Sequence, residues 1–315
     1  MNKNRIDVAV GVIKQNKHVL VGQRLVQDRY YQKWEFPGGK LDDDEEPIQA
    51  LSRELKEELG IQVDSARPLL TIEHDYPDRL VRLFIYLVDQ FVGEPIGVEG
   101  QAVKWVLPED CHTLDFLEAN KPIVHAIQLP SVQLITNIEK YGFERTLAAV
   151  KEIDKIYSSQ FVLQLREPNL DEKQCANYLA YFRQITKSKF IILNGDVEQS
   201  VKLDFDGVHL NRHRAKHFKL REELPDFWVG VSCHDERELS HAQKIADFTF
   251  LSPIGETQSH PDIVPIGWES FDNLTRKMKL PCYALGGLNE TDIEKAWQYG
   301  GQGIAAISSF WSDKT

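Results

Sequence analysis

Residues 39–61, GKLDDDEEPIQALSRELKEELGI, place five glutamates and three aspartates in one short segment. Glu54, Glu57 and Glu58 fall at i, i+3 and i+4, so on a helix they share one face. Like charges at that spacing cost an isolated helix ~0.2–0.5 kcal/mol per pair. A helix that keeps three carboxylates on one face therefore suggests a cation that neutralises them. Oxygen-only ligands point to a hard cation, Mg²⁺ or alternatively Mn²⁺. For an arbitrary acidic helix the plainer account is a solvated face balanced by Arg53 and Lys56; here the flanks shift the balance. Gly38 and Gly39 precede the segment and let backbone come close to a ligand. Gly60 stands where a C-cap glycine is expected. Ala50, Leu51, Leu55 and Leu59 give the opposite face an apolar stripe, leaving the carboxylates for metal.

The spacing runs Gly39, five residues, Glu45, seven residues, Arg53-Glu54-Leu55, one residue, Glu57-Glu58, one residue, Gly60-Ile61. It resembles the Nudix box at every defined position. Trp34-Glu35-Phe36-Pro37-Gly38-Gly39-Lys40 leads into the box, and Tyr76-Pro77-Asp78-Arg79, Gly93-Glu94-Pro95, Glu99-Gly100-Gln101 and Ala119-Asn120-Lys121-Pro122 follow it. In this order they look like the MutT branch of the Nudix family, which hydrolyses oxidised purine nucleoside triphosphates such as 8-oxo-dGTP. The resemblance implies Mg²⁺ held by the Gly39 carbonyl, Glu54, Glu57, Glu58 and Glu99, with Glu54 or Glu99 as the base. For Glu99 the plainer alternative is a solvated loop glutamate. Glu45 and Arg53 fit a supporting role, since an arginine beside a ligand can orient carboxylates by bidentate bonds. Arg24 and Lys40 are candidate phosphate contacts, Phe36 and Gly38 further substrate contacts, and Tyr76 and Arg79 candidate walls of a base pocket. Asn120 is the candidate purine reader, because an amide can both donate and accept. The resemblance implies release of a nucleoside monophosphate and pyrophosphate. The box by itself speaks only for metal-assisted cleavage of a nucleoside diphosphate linked to another group.

Composition bounds the partners. The formal charge of −11 argues against polymeric nucleic acid, which needs a basic footprint. A free nucleotide that arrives with its own Mg²⁺ is compatible with it. Cys111, Cys175, Cys233 and Cys282 are scattered with no CxxC pair, so neither a zinc site nor a disulfide framework is indicated. The N-terminus runs straight into an alternating strand without the pattern of a signal peptide, and no run approaches the ~18 apolar residues of a membrane span. These features lead to the expectation of a soluble cytoplasmic protein with no membrane partner. Nothing in the sequence specifies an oligomeric state.

A chain of 315 residues suggests two domains, with a boundary near Gln128-Leu129-Pro130-Ser131. Within residues 1–130, strands are expected at 6–13, 17–23, 69–75, 80–92 and 103–107, and helices at 46–59 and 115–128. That order suits an α/β/α sandwich around a mixed sheet, as the Nudix resemblance also implies. Within residues 131–315, apolar runs at 132–136, 160–165, 189–193, 206–210, 227–232, 248–252, 281–285 and 303–308 alternate with helical stretches at 142–157, 171–186, 235–245, 268–278 and 290–299. Eight strands in such alternation predict a (β/α)₈ TIM barrel.

Val162-Leu163-Gln164-Leu165-Arg166-Glu167, Asp206-Gly207-Val208-His209-Leu210, Gly230-Val231-Ser232-Cys233-His234 and Ala284-Leu285-Gly286-Gly287-Leu288 resemble thiamine phosphate synthase and the related thiazole tautomerase. The family pattern has Asn-Asp after the third strand and Gly-Gln-acidic-Asp after His-Leu, to hold Mg²⁺ and a pyrimidine diphosphate. Here those places read Asn194-Gly195 and Asn211-Arg212-His213-Arg214, and the family's Thr-Pro-Thr-Lys reads Thr257-Gln258-Ser259-His260. What persists is a candidate phosphate site for a small phosphorylated ligand: Gly286 and Gly287 after the seventh strand, Ser308 and Ser309 after the eighth. His213, His217, His234 and His260 could ring the barrel mouth, whereas His209 reads as a satisfied core histidine. Three functional readings follow: a nucleotide-sanitising pyrophosphohydrolase with an accessory barrel, a Nudix hydrolase for a thiamine-pathway diphosphate, or a hydrolase regulated by a non-catalytic binding barrel. Residual synthase or tautomerase activity of the barrel is a fourth possibility, which restored carboxylates at its mouth would favour.

Overall fold

The computed structural model describes residues 4–218, 227–257 and 263–311. The chain divides into two compact units, Met1–Gln128 and Leu129–Thr315.

The first unit runs β1 (Asn4–Gln15), β2 (His18–Gln23), β3 (Trp34–Glu35), β4 (Gly38–Lys40), α1 (Pro47–Leu59), β5 (Gln62–Asp75), β6 (Arg79–Val92), β7 (Val103–Val106), two 3₁₀ turns (Pro108–Thr113 and Glu118–Asn120) and α2 (Lys121–Gln128). The sheet order is β3-β2-β1-β6-β5, with β4 added on β1 and β7 on β2. β1 and β6 pair in parallel from Asn4↔Arg79 to Ile13↔Val88, while the other pairs are antiparallel. The alternation of β1 sends its side chains to opposite faces. Ala9 and Ile13 pack with Ala50, Leu51, Leu55 and Leu59 of α1. Val10 and Val12 pack on the other side with Ile123, Val124 and Ala126 of α2. Two separate apolar clusters thus make the three layers, and the buried stripe of α1 is the one its sequence period specifies.

β3 and β4 are not among the expected strands, and two expected elements differ in extent. The helix expected over 115–128 is α-helical only from Lys121, after the 3₁₀ turn at Glu118–Asn120. Trp34 N–H bonds to Asp115 O and Leu117 N–H to Trp34 O, so this stretch is extended against β3 instead. Pro122 also fits only the first turn of a helix. β5 begins at Gln62 rather than 69, and its added half carries register shifts at Val63/Ser65 and Pro68/Leu70 that hide any alternation.

The second unit is a closed barrel of eight parallel strands: β8 (Val132–Ile135), β9 (Val162–Leu165), β10 (Ile191–Asn194), β11 (Gly207–Leu210), β12 (Trp228–Cys233), β13 (Phe248–Leu251), β14 (Cys282–Leu285) and β15 (Gly303–Ala306). Each lies within or at the edge of one of the expected apolar runs. The intervening helices are α3 (Ile138–Tyr141), α4 (Phe143–Tyr157), α5 (Glu172–Ile185), α6 (Val197–Lys202), α7 (Arg212–Ala215), α8 (Glu236–Ala242), α9 (Gly267–Thr275) and α10 (Ile293–Gln298), the last preceded by a 3₁₀ turn at Glu290–Asp292. α3, α6 and α7 span two turns or fewer, too short to show a helical period in the sequence. Ile135, Val162, Ile192, Phe248, Phe250, Tyr283 and Ala305 form one apolar cluster, and a larger one lies between strands and helices. All four cysteines are buried and free.

Candidate active site

The box helix is fixed at both ends by its own sequence. Pro47 opens α1, and Gly60 closes it in the left-handed conformation (φ 71°), its N–H bonding back to Lys56 O. Arg53 ties the helix to the loop before it. Its Nε and Nη2 grip the two oxygens of Glu45 (3.1 and 2.9 Å), Nη2 also reaches Lys40 O (3.0 Å), and Nη1 donates to Glu54 Oε1 (2.8 Å) and Glu57 Oε2 (3.3 Å). The guanidinium is held firmly charged, chiefly by Glu45 and then Glu54.

Gly39 lies directly over Glu54: a Cβ there would stand 2.1 Å from Glu54 Cδ and 2.2 Å from Oε2. A side chain at position 39 would fill the space in front of that carboxylate. Gly38 (φ 144°) donates its N–H to Glu58 Oε2 at 3.0 Å, and its own Cβ would strike Ala9 O. Burial, with the charges of Glu54, Glu35 and Glu99 nearby, pushes the Glu58 carboxyl up to about 7 against the pull of the Gly38 amide. Glu99 is brought to the end of α1 by Gln101, whose Oε1 accepts Glu99 N–H (3.0 Å) and whose Nε2 donates to Glu58 O (3.0 Å). Val98 N–H bonds to Glu58 O and Ile96 N–H to Leu59 O along the same edge.

These residues fit a hard divalent cation in two respects. Every side-chain donor is a carboxylate oxygen, and the space over Glu54 is kept open by the missing side chain of Gly39. Among the described residues no three such side chains already meet as a ligand set. Glu54 and Glu57 turn to Arg53 and Glu58 to Gly38, so gathering them on one ion requires their side chains to rotate on α1.

A cavity of about 530 Å³ opens beside the helix. Arg24, Phe36, Gly38, Lys40, Tyr76, Arg79 and Asn120 all line it, together with Gly39, Glu58 and Glu99; Glu54 and Glu57 lie outside its lining. Asn120 is almost fully buried, and its Oδ1 accepts the Phe36 N–H at 3.0 Å. That bond fixes the orientation of the amide and leaves Nδ2 to donate. Phe36 stacks on Phe116 with centroids 5.4 Å apart. Tyr76 meets Tyr30 edge-on (5.7 Å) and carries Arg79 over its ring (5.5 Å). Arg24, expected at phosphate, donates to Asp28 (3.0 Å) and lies 3.7 Å from Glu35. Glu35, Asp28 and Gln101 are the contributors that motif reading did not single out. Burial raises the Glu35 carboxyl, with Arg24 opposing. Its signal was a carboxylate between Trp34 and Phe36 in a strand otherwise committed to packing.

In the barrel, Gly286 lines a second cavity of about 730 Å³, but Gly287, Ser308 and Ser309 do not. The two glycines answer first to packing. Gly255 N–H bonds to Gly286 O, and a Cβ at Gly286 or Gly287 would strike Pro253 or Glu256 O. The expected phosphate cluster is therefore not assembled as one lining. His213 and His234 line this cavity and His217 does not; His260 lies outside the described residues. No helix among the described residues is long and apolar enough to cross a membrane.

Comparison with known proteins falls on the same two units. Residues 4–127 match the model described as NUDIX domain, and residues 132–310 the model described as thiamine monophosphate synthase. The 8-oxo-dGTP diphosphatase of Haemophilus influenzae is 40% identical over 131 residues, covering 40% of this chain and 94% of that one. The CTP pyrophosphohydrolase of Escherichia coli is 33% identical over 121 residues, covering 38% and 90%. A candidate thiamine-phosphate synthase of Aquifex aeolicus is 33% identical over 187 residues, covering 58% and 99%.

Proposed function

Because the chain belongs to the Nudix family in its first unit and to the thiamine monophosphate synthase family in its second, we propose that it is a Mg²⁺-dependent nucleoside triphosphate pyrophosphohydrolase preferring 8-oxo-dGTP, with the barrel as a ligand-binding accessory domain. The hydrolase class follows from the family; the oxidised base and the metal are the proposal. The observation that carries it is the single cavity uniting Asn120, Tyr76 and Arg79 with Gly39, Glu58 and Glu99.

Glu54, Glu57, Glu58, Glu99 and the Gly39 carbonyl would hold the metal. When bound, Mg²⁺ supplies charge neutralisation of the triphosphate and a water of lowered pKa. The chain's own residues do the rest. Arg53 anchors Glu54 and Glu57 on one face of α1, from which their side chains would turn to the metal. Lys40, exposed on the cavity rim, offers positive charge to the phosphates. Glu54 or Glu99 accepts the proton of the attacking water. Asn120 donates Nδ2–H to an acceptor on the purine edge. Its Oδ1 keeps one lone pair beyond the Phe36 bond, which can accept the N–H that oxidation creates at the imidazole side of guanine. Tyr76 and Arg79 close the pocket over the base.

The test is steady-state hydrolysis of 8-oxo-dGTP, dGTP, CTP and thiamine diphosphate side by side, with Glu57→Gln as the blank. A large kcat/KM preference for 8-oxo-dGTP that disappears in the variant is the expected result. Equal rates with dGTP would remove the oxidised-base reading. A preference for thiamine diphosphate would favour the second reading, a thiamine-pathway hydrolase, to which the barrel's family membership lends support.

A further inference from the structure

The barrel cavity of about 730 Å³ is polar at its floor and cationic at its rim. The floor is a hydrogen-bonded chain crossing the barrel interior from β8 to β12. Gln133 Nε2 donates to Gln164 Oε1 (2.6 Å). Gln164 Nε2 and Asn194 Nδ2 point at His209 Nδ1 (3.2 and 2.9 Å), and His209 Nε2 lies 2.8 Å from Ser232 Oγ. Gln164 Oε1 is occupied by Gln133, so its nitrogen faces His209, and Asn194 presents its nitrogen too. His209 Nδ1 is thus an acceptor. A neutral imidazole that accepts at Nδ1 carries its proton on Nε2 and donates it to Ser232 Oγ. Burial and the charges of Arg166 and Arg214 keep the ring neutral, pushing it down to about 3. Ser232 receives that proton as an acceptor, so its own O–H is left to donate into the cavity.

The rim has the same polarity. Arg166 follows β9, and Arg212, His213 and Arg214 follow β11. Arg212 Nε pairs with Glu238 (2.9 Å). The side chains of Arg166 and Arg214 make no ion pair or hydrogen bond with another described residue. Among the described residues lining the cavity the one carboxylate is Glu167, and its Oε1 already accepts from Thr136 Oγ1 (2.6 Å) and Ile138 N–H (2.7 Å). The positions where the family resemblance implies Mg²⁺ carboxylates hold Gly195 and Arg214. Asp196, next in line, is spent capping α6. A divalent cation does not fit this donor set: hydrogen-bond donors and fixed positive charge face the space it would need.

We infer that the barrel mouth is an anion site that works without a divalent metal, in which Arg166 and Arg214 hold a phosphate or diphosphate group and Ser232, oriented by His209, donates a further hydrogen bond. The ligand class is a small phosphorylated molecule with acceptors on the body that meets Gln164 and Asn194. This goes beyond the hydrolase reading and does not depend on it.

The probe is inorganic pyrophosphate, titrated calorimetrically into the full chain in excess EDTA, where the Nudix carboxylates hold no metal. Binding is expected, unchanged by Glu57→Gln, and weakened roughly tenfold or more by Arg166→Gln with Arg214→Gln, given the strength of charge-assisted bonds to arginine. Both arginines are exposed, so the variants should fold, and their melting in ligand-free buffer checks this. Ser232→Ala is expected to weaken binding less. Nitrogen-15 chemical shifts of His209 are expected to report the Nε2–H tautomer at neutral pH. Binding that requires Mg²⁺, or that survives the double arginine substitution, would overturn the inference. So would an absence of binding in EDTA, or a protonated His209.

Discussion

Glu58 and Gly38 are joined across the turn that faces the box helix: the glycine N–H donates to Glu58 Oε2 at 3.0 Å. This one bond opposes the burial and the neighbouring carboxylates that push Glu58 up to about 7. A carboxyl raised in the folded state binds more protons than the unfolded chain between about pH 4.5 and 7. Stability therefore falls as pH rises through that window, and the loss is complete above it. Glu58→Gln keeps an acceptor for Gly38 and carries no charge. In EDTA at about pH 8 it is expected to be more stable than the parent by roughly 1–3 kcal/mol, with the difference gone near about pH 4. Thermal melts across pH check this. With Glu58 as a ligand of the proposed Mg²⁺, the metal would compete with the Glu58 proton, and its affinity is expected to rise with pH up to about 7. A flat pH profile for Mg²⁺ binding would count against the site.

Gly39→Ala tests the contact between the turn and Glu54. The new Cβ collides with the carboxylate at 2.1–2.3 Å. The backbone is not the obstacle, since the φ of Gly39 is not in the left-handed region. The expected cost is about 1–3 kcal/mol of stability, with loss of most activity. Combining it with Glu54→Ala should restore the stability and not the activity. Additive stability losses in the double variant would show that the collision lies elsewhere.

Arg53→Lys separates orientation from charge. Lysine keeps the positive charge but cannot grip both oxygens of Glu45 while also reaching Glu54. We expect kcat to fall roughly 10–100-fold, with metal affinity also lower, as for other groups that orient ligands. An unchanged kcat would reduce Arg53 to a surface counter-ion.

The helix face, its apolar stripe and its glycine cap were legible because a 3.6-residue period and a box with fixed gaps act within about twenty residues. The eight barrel strands were legible because each is a short apolar run between amphipathic stretches. What escaped depends on distant backbone. The extended stretch 115–117 exists because its carbonyl and amide groups find Trp34. The capture of Arg24 by Asp28 and Glu35 required a loop to fold back on β3. The glycines after β14 looked like a phosphate loop, yet the neighbouring segment at Pro253–Glu256 leaves no room for any other residue there. A spacing can identify which residues belong to one chemistry, but not whether a backbone neighbour already has a claim on them.

Asn120 gives a test of base recognition that leaves the fold in place. Asn120→Asp retains an acceptor for the buried Phe36 N–H but has no amide to donate. Asn120→Ala leaves that N–H without its partner, at a cost of about 1–3 kcal/mol. The aspartate variant is therefore expected to melt closer to the parent than the alanine one. Both should lose roughly ten- to a hundredfold in kcat/KM for 8-oxo-dGTP, about what one hydrogen bond in a buried site supplies. dGTP hydrolysis should fall less, so the ratio of the two kcat/KM values is the readout. If both substrates fall in proportion, Asn120 holds Phe36 in place and does not read the base.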